Sequence, residues 1–115
     1  QYPLLREEIE GITKHLNQLY EHGIIVKCKS SWNTPLLPMS KPKGEYRPVQ
    51  DFWVANKATV TIHAIVPNPY TMLGQIPADD TWFTCLDLKD AFFTIPLHPD
   101  SQNLFAFAWT NPDTF

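Results

Sequence analysis

Pro35, Pro38, Pro42 and Pro48 interrupt the chain at intervals of three to six residues, a spacing that no helix and no long central strand survives. Each proline removes a backbone donor and pushes the residue before it towards extended geometry. Residues 30–50 are therefore expected to form a small, irregular antiparallel sheet of short pieces. Within it, Lys41-Pro42-Lys43-Gly44-Glu45 lies between Leu36-Leu37-Pro38-Met39 and Tyr46-Arg47-Pro48-Val49, which makes it the natural hairpin tip, basic and exposed. Eleven prolines against four glycines in 115 residues, with 18% charged residues, exclude collagen and coiled coil and describe an α+β chain with one modest core.

Ahead of that region, Ile9, Ile12, Leu16 and Leu19 repeat at helical spacing between polar residues, so an amphipathic helix is expected over about residues 6–22. Gly23 would end it at the C′ position, and Glu10 with Lys14 makes a favourable i,i+4 pair. Ile24-Ile25-Val26 reads as a short β segment. Residues 58–80 carry Pro67, Pro69 and Pro77 and read mostly as loop, with a short helix near Tyr70–Gly74. Trp82-Phe83-Thr84-Cys85-Leu86-Asp87-Leu88 is an apolar run of β-formers, the pattern of a well-buried strand, turning at Asp87–Asp90 into a brief helix around Ala91-Phe92-Phe93. Leu104–Trp109 would be the next strand, closed by Asn111-Pro112.

No apolar run reaches the roughly 18 residues of a membrane span, and an N-terminus with Glu7, Glu8 and Glu10 is no signal peptide, so a soluble, non-secreted chain with no membrane partner is expected. Cys28 and Cys85 lack disulfide-framework or zinc spacing to each other and to the four histidines, which predicts two reduced thiols. The first residue is Gln1 and the last, Phe115, follows directly on an expected strand, so both ends are expected to be cut from something longer.

The net charge of −3 conceals a segregation. Residues 24–57 carry six Lys or Arg against two acids, a net +4, whereas residues 58–115 carry one lysine against six aspartates, a net −5. A basic middle suits a polyanion and an acidic end suits a cation, although an unevenly charged, solvated surface gives the same count. Asp87, at the end of the expected strand, stands where a hard divalent cation with oxygen ligands can sit. A carboxylate at a strand-to-helix junction equally serves as an N-cap, and Asp90 could cap while Asp87 binds metal. Phe92 and Phe93 are core aromatics by default.

The stretches Gly23-Ile24-Ile25-Val26, Ser31-Trp32-Asn33-Thr34-Pro35-Leu36-Leu37-Pro38, Tyr46-Arg47-Pro48-Val49-Gln50-Asp51, Val66-Pro67-Asn68-Pro69-Tyr70, Leu86-Asp87-Leu88-Lys89-Asp90-Ala91-Phe92-Phe93 and Leu104-Phe105-Ala106-Phe107 resemble, in order and nearly without gaps, the reverse transcriptase of a retroviral pol polyprotein. The resemblance is to gammaretroviral and related endogenous-retrovirus enzymes. It implies an incomplete polymerase fold, with residues 1–79 forming the fingers and the approach to the palm and residues 80–115 the start of the palm. It implies an intracellular setting, cytoplasmic or within a viral particle.

By the same resemblance, Asp87 is the first of three catalytic, metal-binding aspartates, and Leu88 offers its backbone carbonyl to the same Mg2+ of a two-metal site. Asp90, Ala91 and Phe92 lie beneath the incoming dNTP, with Phe92 as the steric gate that rejects a 2′-hydroxyl. Lys41 and Arg47 clamp its triphosphate, while Lys43, Asn56 and Lys57 meet the RNA or DNA template-primer. The implied reaction is nucleotidyl transfer to a primer 3′-hydroxyl, catalysed by positioning and electrostatics.

Two departures stand out. Trp53 and Ala58 occupy places where the resembled family has basic residues, and the Tyr-x-Asp-Asp motif, the thumb and RNase H are not in these 115 residues. The chain is therefore expected to be inactive in isolation and to need the remaining palm, thumb and RNase H of a longer polyprotein. The alternative is a non-catalytic endogenous retroviral remnant with at most weak nucleic-acid binding. A generic protein-interaction module, resting on the Pro-rich middle, is the third reading.

Overall fold

The computed structural model describes residues 1–112. In chain order the elements are helix α1 (Arg6–Glu21), strands β1 (Leu36–Ser40) and β2 (Tyr46–Gln50), and helices α2 (Trp53–Ala58) and α3 (Pro69–Gly74). A 3-10 turn (Ala91–Thr94), helix α4 (Pro99–Gln102) and a second 3-10 turn (Asn103–Phe105) follow. The chain forms two compact units, one built from Gln1–Val60 with Pro96 onward, the other from Thr61–Ile95. Among the described residues no helix is long and apolar enough to cross a membrane.

In the first unit, α1 buries Ile12 and Leu16, two members of the apolar stripe expected from sequence, against Leu36 of β1. Leu4, Leu19, Ile25, Tyr46, Phe107 and Trp109 close around them. The helix starts where the Leu5 backbone N–H donates to Glu8 Oε2 at 2.7 Å, half of a capping box. It stops in a Schellman arrangement, with the N–H groups of Gly23 and Ile24 donating to the carbonyls of Tyr20 and Leu19. That ending corrects the β segment expected at Ile24–Val26, because the Ile24 and Ile25 donors are both turned back on Leu19. Glu10 pairs with Arg6, at 2.9 Å, rather than with Lys14.

Strands β1 and β2 form the expected antiparallel hairpin, in the register Leu36↔Gln50, Pro38↔Pro48 and Ser40↔Tyr46. Directly opposed residues share a face, so this set faces α1 while Leu37, Met39, Arg47 and Val49 look the other way. The tip closes by Gly44 N–H donating to the Lys41 carbonyl and Lys41 N–H to that of Glu45, with Gly44 at φ 74°. Pro42 and Gly44 at those places are what a three-residue hairpin loop requires. Buried Thr34 donates from Oγ1 to the Ala106 carbonyl and accepts from Gln50 Nε2, joining the sheet to the chain's last segment.

That last segment corrects the strand expected at Leu104–Trp109. Its first residues turn as the 3-10 helix, and the rest is extended but pairs with no strand among the described residues, its partners there being isolated groups: Thr34, the Gln50 amide and Asn33 Oδ1, which accepts from Ala108 N–H. A second strand expectation, Trp82–Leu88, is corrected in the second unit. Trp82 is 94% exposed and Leu86 88%, and no described segment offers these residues a ladder, so they remain extended backbone without a sheet. Helix α3 stands where expected, its first turn capped by Asn68 Oδ1 accepting from Tyr70 N–H.

Candidate functional site

The hairpin projects three cations. Arg47 lies on the outward face, opposite Met39, with its Nη2 3.2 Å from Met39 Sδ and no carboxylate partner among the described residues. A guanidinium with one N–H on a thioether keeps its remaining donors for an oxyanion. Lys41 reaches Glu45 at 3.8 Å across the tip, a loose exposed pair that a phosphate can displace. Lys43 is exposed at the apex of the turn. The sheet is held from behind, since a Cβ on Gly11 of α1 would come within 3.0 Å of Tyr46 Cβ.

Immediately after β2, Asp51 fixes the start of α2: its Oδ1 accepts from Trp53 N–H at 2.9 Å and its Oδ2 from the Tyr2 hydroxyl at 3.0 Å. The hydrogen bond to this carboxylate, with its charge, raises the Tyr2 phenol above its ordinary pKa. Gln1 completes the N-terminal tie. Its side-chain amide donates to the Leu36 carbonyl and accepts from the Leu36 N–H, covering the free edge of β1 as a strand would. Helix α2 is seated by buried Ala55 and by Phe52, whose ring meets Phe105 edge to face at 5.3 Å. It carries Asn56 and Lys57 on its exposed side, with Lys57 Nζ 3.3 Å from the centroid of the Trp53 ring.

The second unit carries the remaining candidates. Asp87, Leu88, Asp90 and Phe92 are exposed and Ala91 is half-buried. Asp90 occupies the position before the 3-10 turn with φ 53° and makes no side-chain cap, so its capping reading is corrected: its backbone is left-handed, not in the extended geometry from which a capping side chain reaches the first N–H groups. Phe92 and Phe93, at 90% and 47% exposure, are not core aromatics. Among the described residues there is no group of three or more His, Cys, Asp or Glu side chains placed to hold a metal ion. One carboxylate and one carbonyl fall short of the six or so oxygens that Mg2+ takes, so these residues do not by themselves fit it. Both cysteines are free thiols and exposed.

A family profile described as reverse transcriptase (RNA-dependent DNA polymerase) matches residues 39–113, from the outward face of β1 through Asp87 to the last segment. The chain belongs to the reverse transcriptase family. It is 53% identical over 114 residues to the Gag-Pol polyprotein of Koala retrovirus, covering 98% of this chain and 7% of that polyprotein. It is likewise 53% identical to the Pol polyprotein of a feline endogenous virus, covering 98% of this chain and 11% of that relative. The chain thus spans about a tenth or less of these relatives. Among solved structures it is similar to the protease-reverse transcriptase of prototype foamy virus, with TM-score 0.84, 31% identity and coverage of 96% of this chain and 15% of that one. A foamy viral protease-reverse transcriptase in complex with dsDNA gives TM-score 0.79 at 28% identity, covering 96% of this chain and 23% of that one. The α+β fold of helix and small antiparallel sheet is that of a partial reverse transcriptase.

The sequence did not single out Gln1, Tyr2 or the α2 helix. Asp51 just before Phe52 and Trp53 was the available signal, since an Asx side chain that accepts two residues on starts a turn or helix.

Proposed function

We propose that this chain supplies the fingers and the start of the palm of an RNA-directed DNA polymerase that transfers nucleotides from dNTPs to a primer 3′-hydroxyl. Residues 1–79 are assigned to the fingers and the approach to the palm, and residues 80–115 to the palm. The observation that carries the reading is the α1-backed hairpin, which offers Lys41, Lys43 and Arg47 at an exposed tip and outward face within a segment of net charge +4. Arg47 and Lys41 close on the triphosphate, one as a planar fork and one as a flexible point charge, on a two-stranded arm able to move with its load. Lys43, Asn56 and Lys57 meet the backbone of the template-primer.

In the second unit, Asp90, Ala91 and Phe92 form the floor under the nucleotide. The exposed Phe92 ring excludes a 2′-hydroxyl, and so distinguishes DNA from RNA precursors. Asp87 and the Leu88 carbonyl are this chain's contribution to a Mg2+ site whose other carboxylates come from outside the described residues. The proposed setting is the infected cell or the viral particle. The second reading, a non-catalytic remnant that binds nucleic acid weakly, is favoured by Trp53 and Ala58 standing where the resembled family has basic residues.

Fluorescence-anisotropy titration of a labelled primer-template at two salt concentrations tests the binding. With about three phosphate contacts, the slope of log K against log salt is expected near −2 to −3. The Lys41→Ala/Lys43→Ala/Arg47→Ala variant should lose most of the affinity and the slope. Equal binding by both proteins would show that the hairpin is only a solvated surface.

A further inference from the structure

We propose that Trp53 and Lys57 form a stacking platform for an unpaired base of a nucleic-acid strand, an inference that rests on the nucleic-acid reading above and adds a contact of different physics to it. Trp53 is 65% exposed, and it is not what anchors α2, since Ala55 and Phe52 do that. One turn further on, Lys57 places its ammonium 3.3 Å from the indole centroid, a close cation–π contact, and meets no carboxylate among the described residues. One side of the ring therefore carries a cation, and much of the residue remains open to solvent.

That pairing matches the two halves of a nucleotide. A base stacks on the open indole while its phosphate meets the ammonium, which is the combination that single-strand binding sites use. The backbone that carries the platform is tied down, because Asp51 links Trp53 N–H to the Tyr2 hydroxyl immediately after β2, the strand that carries Arg47. The surrounding segment, at net +4, is complementary to a polyanion and to no basic partner. An indole in place of a cation exchanges a salt-sensitive contact for a salt-insensitive one, since stacking releases no counterions.

The test titrates the 115-residue chain and its Trp53→Ala and Trp53→Phe variants with a labelled single-stranded oligothymidylate and with an abasic strand of the same length, at two salt concentrations. Trp53→Ala should weaken oligothymidylate binding roughly tenfold and leave the salt slope unchanged, while Trp53→Phe keeps most of the affinity. The abasic strand should bind all three proteins alike, and weaker than oligothymidylate binds the parent. If Trp53→Ala binds oligothymidylate as the parent does while the hairpin triple variant fails, the nucleic-acid reading stands and the platform is refuted. If Trp53→Ala loses only self-association in sedimentation velocity, the face belongs to a protein contact and the platform is refuted too. An unmodified chain that binds no strand at all would remove both.

Discussion

Gly11 is a point of close approach between helix α1 and strand β2 of the hairpin, and replacing it with alanine sets two known effects against each other. In an open helix interior, Gly→Ala stabilises by about 1 kcal/mol because alanine loses less backbone freedom. Here the new Cβ would lie 3.0 Å from Tyr46 Cβ and 3.2 Å from Tyr46 Cδ2, where carbon atoms ordinarily rest about 3.5–4.0 Å apart. The ring could swing aside, but Tyr46 Cβ is fixed to the backbone of β2, so no rotamer relieves the first contact. The helix must back away by about half an ångström or more, which loosens Ile12 and Leu16 against Leu36. Overpacking of that kind costs about 1–3 kcal/mol. Gly11→Ala is therefore expected to destabilise the first unit by about 1 kcal/mol net, read as a lower urea midpoint in far-UV circular dichroism. A midpoint raised by the full propensity gain would refute the close seating of α1 on β2.

Gly44→Ala tests the hairpin tip separately: at φ 74° with nothing within 4 Å, the added methyl group meets no neighbour and only strains the backbone, so a loss of about 1–2 kcal/mol and weaker primer-template binding are expected. Unchanged stability and binding would show that the turn tolerates another geometry. The Tyr2 contact predicts an alkaline effect. Its phenol is raised in the folded chain, so the contribution is fully present below the ordinary tyrosine pKa of about 10 and is lost as pH rises through the higher folded value. Spectrophotometric titration should find a tyrosine ionising above its ordinary pKa, and Tyr2→Phe should abolish that late step.

What the sequence made legible follows from how local each signal is. The stripe from Ile9 to Leu19, the Gly23 stop and the Pro42–Gly44 turn are decided by neighbours in the chain, and α1, β1 and β2 stand where those residues put them. Strands at Trp82–Leu88 and Leu104–Trp109 depend on a distant partner edge, which hydrophobic pattern does not supply, and neither pairs with a strand among the described residues. Ile24–Val26 failed for a different reason, the competing demand of the helix end for its donors. At the site, the exposure of Lys41, Lys43 and Arg47 was readable from the turn and the alternation. The stacking of Lys57 on Trp53 was not, because no helix was expected over residues 53–58.

The proposed function makes this chain one working part of a polymerase. Its most direct test is a chimera in which these residues replace the matching segment of the Koala retrovirus polyprotein to which they are 53% identical. Primer extension on an RNA template would be measured with and without Asp87→Asn. DNA synthesis by the chimera and a loss of several orders of magnitude in the variant are expected, against the mere 0.5–2 kcal/mol or so of stability that a capping carboxylate would carry. A folded chimera that makes no DNA, or one whose synthesis survives Asp87→Asn, would contradict it.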